Sequence, residues 1–149
     1  MQLFDDFNEA MLNTSLTIIE QGSDDRFVWA DVAIEGAQLT ITPEMAKLLL
    51  SRYPSLAFHT CKNTRFGDCL PGALLPHTLE HLIIDLLVER HPGEVFAGNT
   101  QWITREEQTM RIRISLPQGG DPAPVVAAFS EALLQLNGII AERARQNGK

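Results

Sequence analysis

PHTLEHLIID, residues 76–85, sets His77, Glu80 and His81 within five positions of a run that is otherwise almost wholly apolar. At 100° per residue the three fall in one arc of about 100°, while Leu79, Leu82, Ile83, Leu86 and Leu87 lie across the axis. The motif therefore faces away from the main core. Ile84 and Val88 continue the motif's side, which predicts that this side is largely dry as well. A glutamate in such surroundings needs compensation, because burial penalises the charged carboxylate.

A divalent cation would compensate it directly. Imidazoles at i and i+4 can reach one ion at about 2.0–2.1 Å, and the intervening Glu is placed to take a proton from a water beside that ion. His-x-x-Glu-His is the inverted form of the zincin helix motif. The spacing thus points to His77 and His81 as ligands of Zn²⁺ and to Glu80 as the catalytic base. A competing reading leaves His77 in an exposed first turn, Glu80 favoured by the helix dipole, and His81 as a hydrogen-bonded core histidine.

The chain of 149 residues carries 44% hydrophobic and 21% charged residues and a formal charge of −7, with a sequence pI near 5.0. That length suits one domain, 1–149. The basic residues are scattered, which argues against nucleic acid as a partner. No uninterrupted apolar run approaches the ~20 residues of a membrane span, so no membrane segment is expected. Acids near the N-terminus, where a secretory signal would be basic, point to a cytoplasmic location. All four histidines, His59, His77, His81 and His91, lie with Cys61 and Cys69 between positions 59 and 91. In a cytoplasmic setting those two thiols are expected to be reduced.

Outward from the motif, the residues from Leu74 or Pro76 to Arg90 read as a helix stopped by His91-Pro92-Gly93. Upstream, a short helix is expected before Asn13, then strands at Leu16–Glu20, Phe27–Ile34 and Leu39–Thr42. A helix starts at Thr42-Pro43 and runs to Pro54, and a long loop follows to Leu70. Downstream, Glu94–Gly98 reads as a short strand, the residues from Asn99 as loop or hairpin, and Met110–Leu116 as a strand. Residues 117–124 form a loop, and an amphipathic helix runs from Val125 to about Gln146. The order β-β-β-α-α-β-β-α with short turns predicts an α+β two-layer sandwich, its helices on one face of a mainly antiparallel four- or five-stranded sheet.

Taken together, His59-Thr60-Cys61, Phe66-Gly67-Asp68 with Pro71-Gly72, the His77–Leu86 run, Phe96-Ala97-Gly98-Asn99-Thr100 and the strand Met110–Leu116 resemble the amino-terminal domain of cyanophycin synthetases, over roughly residues 37–137. The resemblance implies an inverzincin-like domain in which His77 and His81 hold a metal and Glu80 is the base. Arginines of that family stand here as Asn99 and Gln101, and the ATP-binding and ligase domains are absent from this chain. His77–His81 also resembles the metal helix of S-ribosylhomocysteine lyases, whose further cysteine ligand has no counterpart after Cys69.

These readings converge on a zinc-dependent hydrolase of an amide bond, with a small peptide or amino-acid polymer as the expected partner. The alternative is a non-catalytic ligand- or polymer-binding module of the same fold, and a third is a homo-oligomeric scaffold. The sequence leaves the third metal ligand open among Asp121, Glu131, Cys61 and Asp68.

Overall fold

Alternating apolar residues on successive strands dictate one dry and one wet sheet face. The computed structural model describes residues 14–61 and 63–147, so the helix expected before Asn13 lies outside the described residues. In chain order the elements are β1 (Ser15–Ser23), β2 (Phe27–Glu35), α1 (Pro43–Arg52), a 3₁₀ turn (Pro54–Phe58), β3 (Thr60–Cys61), β4 (Thr64–Arg65) and α2 (Phe66–Cys69). Then come α3 (Leu75–Arg90), β5 (Gly98–Thr104), β6 (Thr109–Ser115) and α4 (Ala123–Asn147). Four strands form an antiparallel sheet in the order β1-β2-β6-β5, and β3 pairs with β4 in a separate ribbon. Helices α3 and α4 pack on one face in the expected α+β two-layer arrangement.

Val28, Ala30, Val32 and Ile34 of β2 and Ile112 and Ile114 of β6 are buried together with Leu79, Leu82, Ile83 and Leu87 of α3. The wet face carries Asp31 opposite Arg111 in register; Arg111 donates to both carboxylate oxygens, at 2.7 and 3.0 Å, and its guanidinium lies 4.3 Å from the Trp29 ring centroid. This bidentate geometry locks the β2–β6 register from the solvent side. Asp24 closes the β1–β2 turn by accepting from the backbone N–H groups of Arg26 and Phe27, at 2.8 and 2.9 Å. Thr42 caps α1 by accepting from Met45 N at 3.2 Å, with Pro43 in the first turn.

Two expected strands are corrected. Leu39–Thr42 makes an isolated bridge between Thr40 and Leu74 and is not a member of the sheet. Its backbone bonds, Ile41 N to Ala73 O at 2.8 Å and Leu75 N to Leu39 O at 3.0 Å, go instead to the segment leading into α3. That segment thereby sets where α3 begins. Glu94–Gly98 is irregular up to Ala97, and the strand lies in the residues expected to be loop or hairpin, where β5 and β6 form a hairpin. Register explains the error. Gly98, Thr100 and Trp102 pair with Ile114, Ile112 and Met110 and so share their face. Of the β5 residues on that face, Gly98 and Thr100 meet Glu80 of the motif, so Trp102 alone is large and apolar and the alternation is erased.

Helix α4 also departs from expectation, since Ala123–Arg143 is long and apolar enough to cross a membrane by length and composition. One stripe of it, Val125, Ala128, Phe129, Ala132, Leu136, Ile139 and Ile140, is buried in the core of this fold. Core packing accounts for that stripe, while Val126 and Leu134 are exposed.

Leu79 is fully buried and its removal leaves a void that the sheet cannot fill. Leu79→Ala should lower unfolding stability by about 2–5 kcal/mol. Urea denaturation checks this as a fall in midpoint with an unchanged slope.

Candidate functional site

The side of α3 that carries the motif is covered by the segment between α1 and α3. Phe66 N donates to His59 O at 2.6 Å, which folds the ribbon β3–β4 back and drives the Phe66 side chain inward. Phe66 is fully buried and stacks on His81, with ring centroids 3.9 Å apart and planes at 15°. It meets His77 edge-on at 5.7 Å. One aromatic ring thus orients both imidazoles, whose own centroids are 4.9 Å apart.

Cys61 arrives from β3 with its Sγ 3.7 Å from His77 Nε2. One potential ligand atom from each of Cys61, His77 and His81 lies within 4.8 Å of the others, so this group could hold a metal ion. Its chemistry fits a borderline transition metal. A tetrahedral ion with bonds of about 2.3 Å to sulfur and 2.05 Å to nitrogen separates the two donors by about 3.6 Å, close to the observed spacing.

Glu80 is only 5% exposed, as is His81. Thr100 of β5 donates its hydroxyl to Glu80 Oε1 at 2.7 Å, and Oε2 lies 3.9 Å from His81 Nε2. The close approach requires Gly98: a Cβ there would stand 3.0 Å from Glu80 Cγ and 3.0 Å from Ile114 Cδ1. Burial raises the Glu80 carboxyl above the usual carboxylate range, partly offset by the Thr100 hydrogen bond and by His59. For His81 the same desolvation acts in the opposite direction, and with the nearby His77 and His59 it pushes the imidazole down to about 3. A neutral imidazole and a carboxyl of heightened proton affinity therefore stand side by side.

A cavity of 570 Å³ opens on this group, lined among others by Cys61, His77, Glu80 and His81 and by Asn99, Thr100 and Trp102 of β5. A second, of 520 Å³, reaches Glu80 and His81 from the side of His59, Val95 and Phe96. Val88, expected to extend the dry side, is 45% exposed, because the covering segment ends before that turn of the helix.

Of the four candidates for a third ligand, Cys61 joins the two histidines. Asp68 is exposed in α2 and lies outside the group. Asp121 accepts from Ala123 N at 3.0 Å at the start of α4, and Glu131 is ion-paired with Arg90. Two residues escaped the sequence reading of the site. His59 Nδ1 lies 3.2 Å from His81 Nδ1, and His59 Nε2 lies 3.0 Å from Asp85 Oδ1, which also accepts from Ser55 Oγ at 2.6 Å. Asp85 is four residues after His81 and so on the same helix face, and His59 is two residues from Cys61. Those spacings were the available signals.

Searches of protein-family models, curated proteins and solved structures return no match to this chain, so the reading of the site rests on its own geometry.

Proposed function

We propose that Cys61, His77 and His81 hold one Zn²⁺ or similar transition-metal ion, and that with Glu80 they form the centre of a hydrolase acting on an amide bond of a peptide or amino-acid polymer. The observation that carries this reading is the convergence of a thiol, two imidazoles and a buried carboxyl on one 570 Å³ cavity. A bound ion would polarise the scissile carbonyl and acidify water in the cavity. Glu80, its proton affinity raised by burial, would take the proton from the attacking water and return it to the leaving amine. Thr100 holds the carboxylate by one oxygen and leaves the other directed to the His81 side. Asn99 and Gln101, at the β5 edge of the cavity, are neutral where the synthetase-like domains carry arginines, which favours a substrate bound through hydrogen bonds over one bound through its negative charge.

A second reading, a ligand-binding module without catalysis, draws on the same Thr100 bond, which already satisfies half of the carboxylate. Activity separates the two.

Elemental analysis of protein purified without added metal should find about one equivalent in the wild type, and much less in Cys61→Ala, His77→Ala and His81→Ala. Equal content in wild type and variants would remove the metal reading. Glu80→Gln should retain the ion, since Glu80 is not a member of the ligand group, yet lose amide hydrolysis by about 10²–10⁴-fold. If the wild type cleaves no peptide or aspartate-arginine polymer while binding metal, the module reading prevails.

The titration of His81 supplies a further check on chelator-treated protein. Between pH 6.5 and about 3 the unfolded chain binds a proton at this position that the folded chain refuses. The contribution is therefore fully present above pH 6.5 and is lost as pH falls towards 3. Glu80, shifted upward, acts with the opposite sign, its burial becoming costlier as pH rises through its raised value. Comparison with His81→Phe isolates the imidazole: acidification from pH 7 to 5 should lower the denaturation midpoint of wild type more than that of the variant.

A further inference from the structure

We propose that Asp85 and His59 are positioning residues that fix His81 as its Nδ1–H tautomer and so leave its Nε2 lone pair free to hold the ion. The inference rests on the metal reading, since a bound cation is what disfavours a second proton on His59 beside the Asp85 carboxylate. Asp85 is almost fully buried, and its Oδ1 accepts the Ser55 hydroxyl at 2.6 Å. As a carboxylate it can only accept, so the 3.0 Å contact to His59 Nε2 is an N–H donated by the ring. The other nitrogen of a neutral His59, Nδ1, then carries a lone pair. It lies 3.2 Å from His81 Nδ1, and two lone pairs at that distance would repel, so His81 must present N–H there. Its Nε2 is thereby left unprotonated and available as a donor.

The same chain read with a doubly protonated His59 would reverse the last bond. It would place the proton of His81 on Nε2, where no cation could be held. A second positive ring beside a bound cation is electrostatically opposed, which favours the neutral relay. Ser55 comes from the 3₁₀ turn, His59 from the residue before β3, and Asp85 from α3 itself. The covering segment thus does more than exclude water, since it transmits the direction of a hydrogen bond from Asp85 across two rings. Outer partners of metal-ligating imidazoles act this way in general, and losing one weakens metal affinity by about 10–100-fold.

Two measurements test it. In Zn²⁺-loaded wild type, nitrogen-15 spectra of the histidine rings should show His81 protonated at Nδ1 and His59 at Nε2 alone. A His81 protonated at Nε2, or a His59 protonated at both nitrogens, overturns the proposal. Zn²⁺ titration of variants supplies the second readout. His59→Leu, which fills the space without an acceptor, should bind Zn²⁺ about 10–100-fold more weakly, whereas His59→Gln, whose amide oxygen can accept from His81, should stay near wild type. Equal affinity for Zn²⁺ in wild type and His59→Leu, or equal loss in both variants, overturns it. Failure of wild type to bind Zn²⁺ at all removes the metal reading, whereas Zn²⁺ bound with His81 protonated at Nε2 removes the relay alone.

Discussion

Helix α3 is buried on nearly every side up to Leu87, and the polar groups of that stretch must find partners inside the protein. Thr78 donates back to Leu74 O at 3.1 Å, Glu80 is met by Thr100, His81 by His59 and Phe66, and Asp85 by Ser55 and His59. An unmet buried hydroxyl or carboxylate costs about 1–3 kcal/mol or more, so this matching is a condition of folding as well as of function.

That condition explains the two parts of the molecule that look least regular. The segment between α1 and α3 builds a 3₁₀ turn, a two-residue ribbon and one helical turn, and its role is to bring Ser55, His59, Cys61 and Phe66 over a single helix face. Strand β5 closes the other side as a sheet edge whose inward residues are Gly98, Thr100 and Trp102. Glycine admits the Glu80 side chain, and threonine supplies its hydrogen bond. A Val or Ile at position 98 would crowd the Glu80 side chain, and a Val at position 100 would leave its carboxylate without that hydrogen bond.

The electrostatic outcome is a centre in which desolvation moves neighbouring groups in opposite directions, the acid upward and the imidazole downward. Both shifts favour neutral forms, and a neutral imidazole is the state that binds a cation. Phe66, stacked on His81, excludes water from one face of the ring and orients it. The opposite side opens on the cavity, so the thiol, the imidazoles and the carboxyl combine a dry support with access for a ligand.

The sequence by itself determined the layer architecture, the inward faces of β2 and β6, the extent of α3 and the placing of His77, Glu80 and His81 on one helical arc. These depend on local periodicity, which a helix or strand imposes on its own residues. It also narrowed the third donor to four residues, among which only the tertiary structure distinguishes Cys61. It set the strand after α3 at Glu94–Gly98, with loop or hairpin beyond, because Gly98 and Thr100 face the motif and break the alternation that marks β5 as a strand. His59, Asp85 and Ser55 were decided by the tertiary structure alone. They are 26 and 30 residues apart across the chain, and only the fold of the intervening segment brings their polar atoms within hydrogen-bonding distance. Spacing along one element is written in that element, whereas a contact between elements depends on how the chain folds back to bury them.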